Sequence, residues 1–233
     1  MADQLDLAGK TVLVTGSGRG LGLHYAKYLA RMGADVVIHD ISSEAAAAFG
    51  EAKSGEDVAD QIRGLGRRSA FLAGDLTDPE QARRVVEEAV AAFGKLDIVV
   101  NNAGGDIGAR TPRPDPNDAI DIDIDDIQAV VSRNLLSTMY MCKFAGAHMR
   151  ERRQGKLINV GSGAGHVPTT VGIIYASAKA AISHYTLCLA EQLRPYGVNV
   201  NCIAPAATFT GRFRATRTVE SQGTPPAGGS QEN

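Results

Sequence analysis

The sequence predicts an α/β protein: a doubly wound parallel sheet of six strands with helices on both faces. Three observations lead there. Short β-branched runs alternate with stretches of helical pattern, as repeated strand–helix–strand units require. The first run, residues 11–15 (TVLVT), shows no polar alternation, as expected of a strand buried on both faces. Directly after it comes a glycine-rich segment, 16–22, which opens a helix.

The elements follow in order. Strands are predicted over 11–15, 35–39 (DVVIH), 69–73, 96–100 (LDIVV), 156–160 (KLINV) and 198–203. Helices are predicted over 20–31, 55–65, 79–93, 124–152 and 173–193. The third opens on Pro79, whose missing N–H is no loss in a first turn. Residues 42–54 are Ser/Ala/Gly-rich and read as loop, with the alanines able to extend a helix. Residues 104–123 (GGDIGARTPRPDPNDAIDID) read as a long excursion between strand and helix. From 214 onward no periodicity survives, so residues 1–213 read as one domain and 214–233 as a disordered tail. A chain of 233 residues suits a single domain of this class.

Composition excludes several functions. Net charge is −2 and the pI near 6.2, so no basic field exists to hold nucleic acid or anionic lipid. No apolar run approaches the roughly 20 residues of a membrane span. The short acidic N-terminus lacks the pattern of a secretory signal, which points to the cytoplasm. Cys142, Cys188 and Cys202 form no CxxC pair and read as reduced core residues rather than zinc ligands or disulfides. No metal site is expected: the five histidines lack ligand spacing, and the acidic run 115–126 lacks the pattern of a calcium loop and reads as a solvated insert. Of the histidines only His166 is placed to face a substrate.

The glycine segment carries the first chemical signal. Glycines between a strand and a helix allow a tight turn and close backbone approach to a diphosphate, and the helix N-terminus offers N–H groups and a positive dipole end. Asp40, at the end of the second strand, stands about twenty residues further on, where a carboxylate accepts ribose hydroxyls and repels a 2′-phosphate. Taken singly, the glycines could be turn chemistry and Asp40 a helix cap.

Together with two further motifs they are specific. The pattern TGxxxGxG (Gly16, Gly20, Gly22), the NNAG of residues 101–104 and the YASAK of 175–179 resemble the short-chain dehydrogenase/reductase family over about residues 7–213. The resemblance implies a Rossmann-type fold and an NAD(P)-dependent oxidoreductase moving a hydride between nicotinamide and a secondary alcohol or ketone. It assigns cofactor contacts to Gly16, Ser17, Arg19, Gly20, Leu21, Gly22 and Asp40, to Asp75 and Leu76 around the adenine, and to Asn102, Ala103 and Gly104. Tyr175 and Lys179 complete the set with Pro205 and Thr210. Asp40 favours NAD, whereas Arg19 occurs in many members that use NADP; an anion beside a 2′-phosphate is the stronger term, so NAD is expected.

The family pattern also implies a catalytic tetrad of Asn134, Ser162, Tyr175 and Lys179. Tyr175 and Lys179 are i and i+4 on one helix face. A tyrosine of ordinary pKa near 10 is a poor base, and an adjacent ammonium stabilises its phenolate. Ser162 ends a strand, where a hydroxyl can meet developing charge on a substrate oxygen. Asn134 corresponds to the residue that holds a relay water behind the lysine.

The sequence departs from the family after residue 203. Pro205 is followed by Ala206 rather than Gly, and the usual substrate lid and seventh strand do not follow. The sixth strand is therefore expected to be an exposed edge. The competing reading is a nucleotide-binding scaffold without turnover. A homodimer through the helices bearing Asn134 and Tyr175 is implied, with a small-molecule ketone or alcohol as the other partner.

Overall fold

The structure, a computed structural model, describes residues 6–206, 208, 210 and 211. The strands are β1 (Thr11–Val14), β2 (Asp35–Asp40), β3 (Ser69–Ala73), β4 (Ile98–Asn101), β5 (Gly155–Val160) and β6 (Val198–Ile203). They form one parallel sheet in the order β3-β2-β1-β4-β5-β6. The chain winds outward in both directions from β1 and β4, so a crevice opens between their carboxyl ends, the usual ligand position of such sheets. Among the described residues β6 pairs only with β5.

Each strand sends alternate residues to opposite faces, and both faces are covered. Val12, Val14, Val36 and Ile38 pack on helices α1 (Gly20–Arg31) and α2 (Gly55–Arg63). Leu13, Val37, Val99 and Leu157 pack on α3 (Pro79–Phe93), α5 (Ser137–Arg152) and α6 (Ile173–Leu193). This two-sided burial is why β1, β2 and β4 read as continuous apolar runs. Local signals set the helix ends: Ser54 caps α2 by accepting from Asp57 N–H, and Asp78 caps α3 by accepting from Glu80 N–H at 2.8 Å.

Four expectations need correction. The helix expected over 124–152 is broken: α4 (Ile124–Val131) runs into a π-helical turn, Ser132–Leu136, before α5 begins. The π turn frees a carbonyl from the ladder, and Asn134 Nδ2 answers it by donating to Val130 O at 2.8 Å. The stretch 42–54 is not plain loop but holds a 3₁₀ segment, Glu44–Phe49. Of the cysteines only Cys142 is buried; Cys188 is exposed and Cys202 intermediate. The acidic insert is not wholly solvated, since Asp126 is buried and accepts from Ala109 N–H at 2.6 Å. The tail expected over 214–233 lies outside the described residues.

Candidate active site

A cavity of about 960 Å³ lies across the carboxyl ends of the strands. Its walls come from the residues that follow every strand: Gly16 after β1, Asp40 at the end of β2, Gly74 after β3, Asn102 after β4, Ser162 after β5 and Pro205 after β6.

At one end the glycine turn is locked into the sheet. Thr15 Oγ accepts the N–H groups of Asn102 and Ala103, both at 3.0 Å, while Asn102 Nδ2 donates to the carbonyls of Thr15 and Gly16. At Gly22 a Cβ would stand 2.2 Å from Gly16 O, so only glycine allows α1 to start so close to the turn. Gly20 has φ +58, a conformation that glycine adopts without strain. Asp40 is 6% exposed, and its Oδ2 has no hydrogen-bond partner among the described residues; Arg19 Nε lies 3.9 Å from it. Arg19 is itself spoken for, donating to Ala45 O at 2.6 Å and lying 5.3 Å over the Phe49 ring.

Several expected cofactor residues sit otherwise than the sequence suggested. Ser17 does not line the cavity: it is fully buried, donates to Val14 O and accepts from His39 N–H, joining the ends of β1 and β2. Gly22 shapes the turn from behind the cavity wall. The first N–H of α1 is not open: Gly20 N–H donates to the Glu51 carboxylate, whose other oxygen accepts Gly211 N–H at 2.9 Å. Gly16, Arg19, Gly20, Leu21, Asp40, Asp75, Leu76, Asn102, Ala103 and Gly104 do line the cavity, as do Pro205, Thr208 and Thr210. One Asp75 oxygen is engaged by Thr77, N–H and hydroxyl alike.

His39, read from sequence as an ordinary residue, is part of this wall. Its Nδ1 accepts from Gly16 N–H at 3.4 Å and its Nε2 lies 3.1 Å from Gly74 O, a pattern that assigns the neutral Nε2–H tautomer. Burial pushes its pKa down to about 4, against the smaller opposing pull of Asp40.

At the other end of the cavity Tyr175, Lys179 and Ser162 converge. Lys179 is 4% exposed, donates to Val160 O at 2.8 Å and holds Nζ 5.6 Å from the Tyr175 ring centroid. Burial lowers its pKa to about 8, so it remains mostly protonated at neutral pH. Ser162 turns from β5 into a 3₁₀ segment and accepts Ala164 N–H at 3.2 Å. Asn134 is brought near but not in. It is fully buried behind the wall, accepting Gly105 N–H and donating to Gly105 O, each at 2.9 Å. Its side chain is thus committed to backbone, and it fixes the loop after the NNAG turn. His166 is exposed and faces Ser183 at 3.5 Å rather than the cavity.

Sequence reading passed over Phe49, Glu51, Asp106, Arg113 and Arg133. The one available signal was charge and aromaticity inside segments expected to be loop or plain helix.

The model of the short chain dehydrogenase family matches residues 10–221. The chain belongs to that family. It is 41% identical over 218 residues to cyclohexanol dehydrogenase of Rhodococcus sp. (strain TK6), covering 91% of this chain and 79% of the relative. It is 34% identical to L-fucose dehydrogenase of Oryctolagus cuniculus, covering 90% of this chain and 66% of the relative. A solved 7α-hydroxysteroid dehydrogenase, complexed with NADH and 7-oxo glycochenodeoxycholic acid, superposes with a TM-score of 0.81 at 29% identity, covering 95% of this chain and 81% of that one. Other solved short-chain dehydrogenases of similar likeness hold NAD+ or NADP. The chain is therefore an oxidoreductase of the dehydrogenase/reductase type, and the competing reading of a scaffold without turnover loses its support. No helix among the described residues is long and apolar enough to cross a membrane.

Proposed function

We propose that this chain interconverts a small-molecule secondary alcohol and its ketone, with Tyr175 moving the proton and NAD(H) as the redox partner. The observation that carries this reading is the buried Lys179 ammonium beside the Tyr175 ring, with Ser162 on the same cavity.

The residues fit a dinucleotide. The partnerless Asp40 Oδ2 is an acceptor in need of donors such as ribose hydroxyls, and the glycine turn leaves no side chain where a diphosphate would approach. A dinucleotide held there by Asp40 and the glycine turn would supply the hydride acceptor or donor. The chain's own groups handle the proton and the charge. Ser162 donates to the reacting oxygen, and Tyr175 takes the hydroxyl proton in oxidation or returns it in reduction. The Lys179 charge, held in place by Val160 O, stabilises the phenolate form of Tyr175. Asn134 acts as a positioning residue through Gly105. Thr210 is assigned to the nicotinamide end beside Pro205.

The preference for NAD rests on Asp40. Its carboxylate is buried, and the cation that could greet a 2′-phosphate, Arg19, is already engaged by Asp40, Ala45 and Phe49. We further propose a homodimer through the helices bearing Asn134 and Tyr175, that is α4 with its π turn and α5, and α6, where Leu187 stands 67% exposed on a mid-helix turn; light scattering at monomer mass refutes it. A cytoplasmic location fits three free cysteines and is checked by fractionation.

The test is steady-state oxidation of a panel of secondary alcohols, following nicotinamide absorbance with NAD+ and NADP+. Turnover in the wild-type chain, lost in Tyr175→Phe while NADH still binds, supports the reading. Equal turnover in Tyr175→Phe overturns the role of Tyr175, and absence of turnover across the panel overturns the activity.

A further inference from the structure

Three arginines line the cavity: Arg19, Arg113 and Arg133. Two of them face a carboxylate, Arg19 with Asp40 at 3.9 Å and Arg113 with Asp106 at 3.2 Å. Among the described residues no carboxylate lies within ion-pair distance of Arg133. A half-buried guanidinium on a cavity wall without a counter-charge is costly unless an anion arrives to meet it.

The guanidinium is already held in position. Nη1 donates to Ile107 O at 3.0 Å and to Gly108 O, so one corner of the fork is clamped to the loop after the NNAG turn. The Arg133 carbonyl accepts Ser137 Oγ at 2.7 Å, which fixes the backbone beneath it within the π turn. Nε and Nη2, the edge that a carboxylate bridges side-on, have no partner among the described residues. A lysine could not replace this geometry.

Arg133 also lies away from the adenosine end. Its hydrogen-bond partners Ile107 and Ser137 line the same cavity and belong to the segments after β4, whereas Asp40 ends β2, on the other side of β1 in the sheet. The dinucleotide phosphates belong with the glycine turn, so they are not the missing anion.

We propose that Arg133 is a specificity residue that selects substrates carrying a carboxylate remote from the reacting carbon: hydroxy acids and their keto acids in preference to neutral alcohols. This deepens the oxidoreductase reading and rests on it.

The test compares two alcohols with the same carbinol, 4-hydroxycyclohexanecarboxylate and its primary amide. A charge-assisted pair should favour the acid over the amide in kcat/KM by about 10- to 100-fold in the wild-type chain. In Arg133→Met that ratio should fall to near unity, mainly through KM of the acid, with Arg133→Lys between. Because the ratio is taken within each variant, any general loss from disturbing the loop cancels. A ratio near unity in the wild type, or one unchanged in Arg133→Met, overturns the proposal. A second measurement separates it from the activity itself: melting of the NADH-loaded chain with cyclohexanecarboxylate or cyclohexanecarboxamide, neither of which can be oxidised. Stabilisation by the carboxylate alone, lost in Arg133→Met, supports the anion site even if neither alcohol turns over, in which case only the oxidoreductase reading fails. No selective stabilisation overturns the anion site whatever the turnover.

Discussion

Replacing Glu51 by Gln should tighten dinucleotide binding. The Glu51 carboxylate accepts Gly20 N–H in the first turn of α1 and Gly211 N–H at 2.9 Å. It therefore holds the N-terminus of α1 with the same kind of charge that a diphosphate would bring there. The two anions cannot share one N–H group, so binding must displace the carboxylate. A carboxylate at a helix N-terminus is worth about 0.3–1 kcal/mol when exposed and up to about 2 kcal/mol when partly buried. Glu51 is half-buried, which places the competition at about 1–2 kcal/mol, or roughly 5- to 30-fold in Kd. Glutamine keeps one acceptor oxygen and the side-chain length but removes the charge. The assay is titration with NADH followed by nicotinamide fluorescence, at one fixed ionic strength because exposed charges are screened. Glu87→Gln on α3, which pairs with Arg83 and does not line the cavity, makes the same change in net charge and should leave Kd in place. An unchanged or weaker Kd in Glu51→Gln would refute the reasoning, and would mean that Glu51 steadies the bound state or never competes with it.

Other outcomes follow from the same geometry. Asp40→Asn removes a buried anion and should shift the NADPH-to-NADH affinity ratio toward NADPH by about 2 kcal/mol, or roughly 30-fold, read from paired titrations. Tyr175→Phe should lower kcat by about 100- to 10,000-fold with little change in melting temperature. Asn134→Ala leaves Gly105 N–H, Gly105 O and Val130 O without their partner and should cost about 2–4 kcal/mol in urea unfolding. His39 has a folded pKa near 4, below its ordinary 6.5. The unfolded chain therefore binds more protons between those values, and His39 stabilises the fold fully above pH 6.5 and progressively less toward pH 4. Acidification from pH 7 to 4.5 should cost about 2 kcal/mol more in the wild type than in His39→Gln, measured as the difference between their urea curves.

Much of the frame was legible because its signals are local. The central strands β1, β2 and β4 announce themselves as apolar runs, since strands covered on both faces show no polar alternation, whereas β6 at the edge alternates, with Asn199 and Asn201 exposed. Tyr175 and Lys179 share one helix face by spacing alone, Asp40 and Ser162 stand at strand ends, and the family resemblance implied that Ser162 joins the tyrosine and the lysine. The residues misread are those whose position depends on contacts between distant segments. The resemblance assigns Ser17 a cofactor contact, yet its hydroxyl is consumed by His39, 22 positions away. Glu51 sat in an Ala/Gly-rich stretch with nothing to mark it, and its partner Gly211 is 160 positions further along.

The sequence by itself therefore determined the class of fold, the glycine turn between β1 and α1, and the pairing of Tyr175 with Lys179. Periodicity and motif spacing are properties of consecutive residues, and they suffice for these. Only the tertiary structure decided that Arg19 is turned to Asp40, that Asn134 is spent on Gly105 at the π turn, that Glu51 occupies the first N–H of α1, and that Arg133 lines the cavity with no counter-charge among the described residues. Each is a balance of charge or hydrogen bonds between segments that meet only after folding, and that balance has no trace in the spacing of the chain.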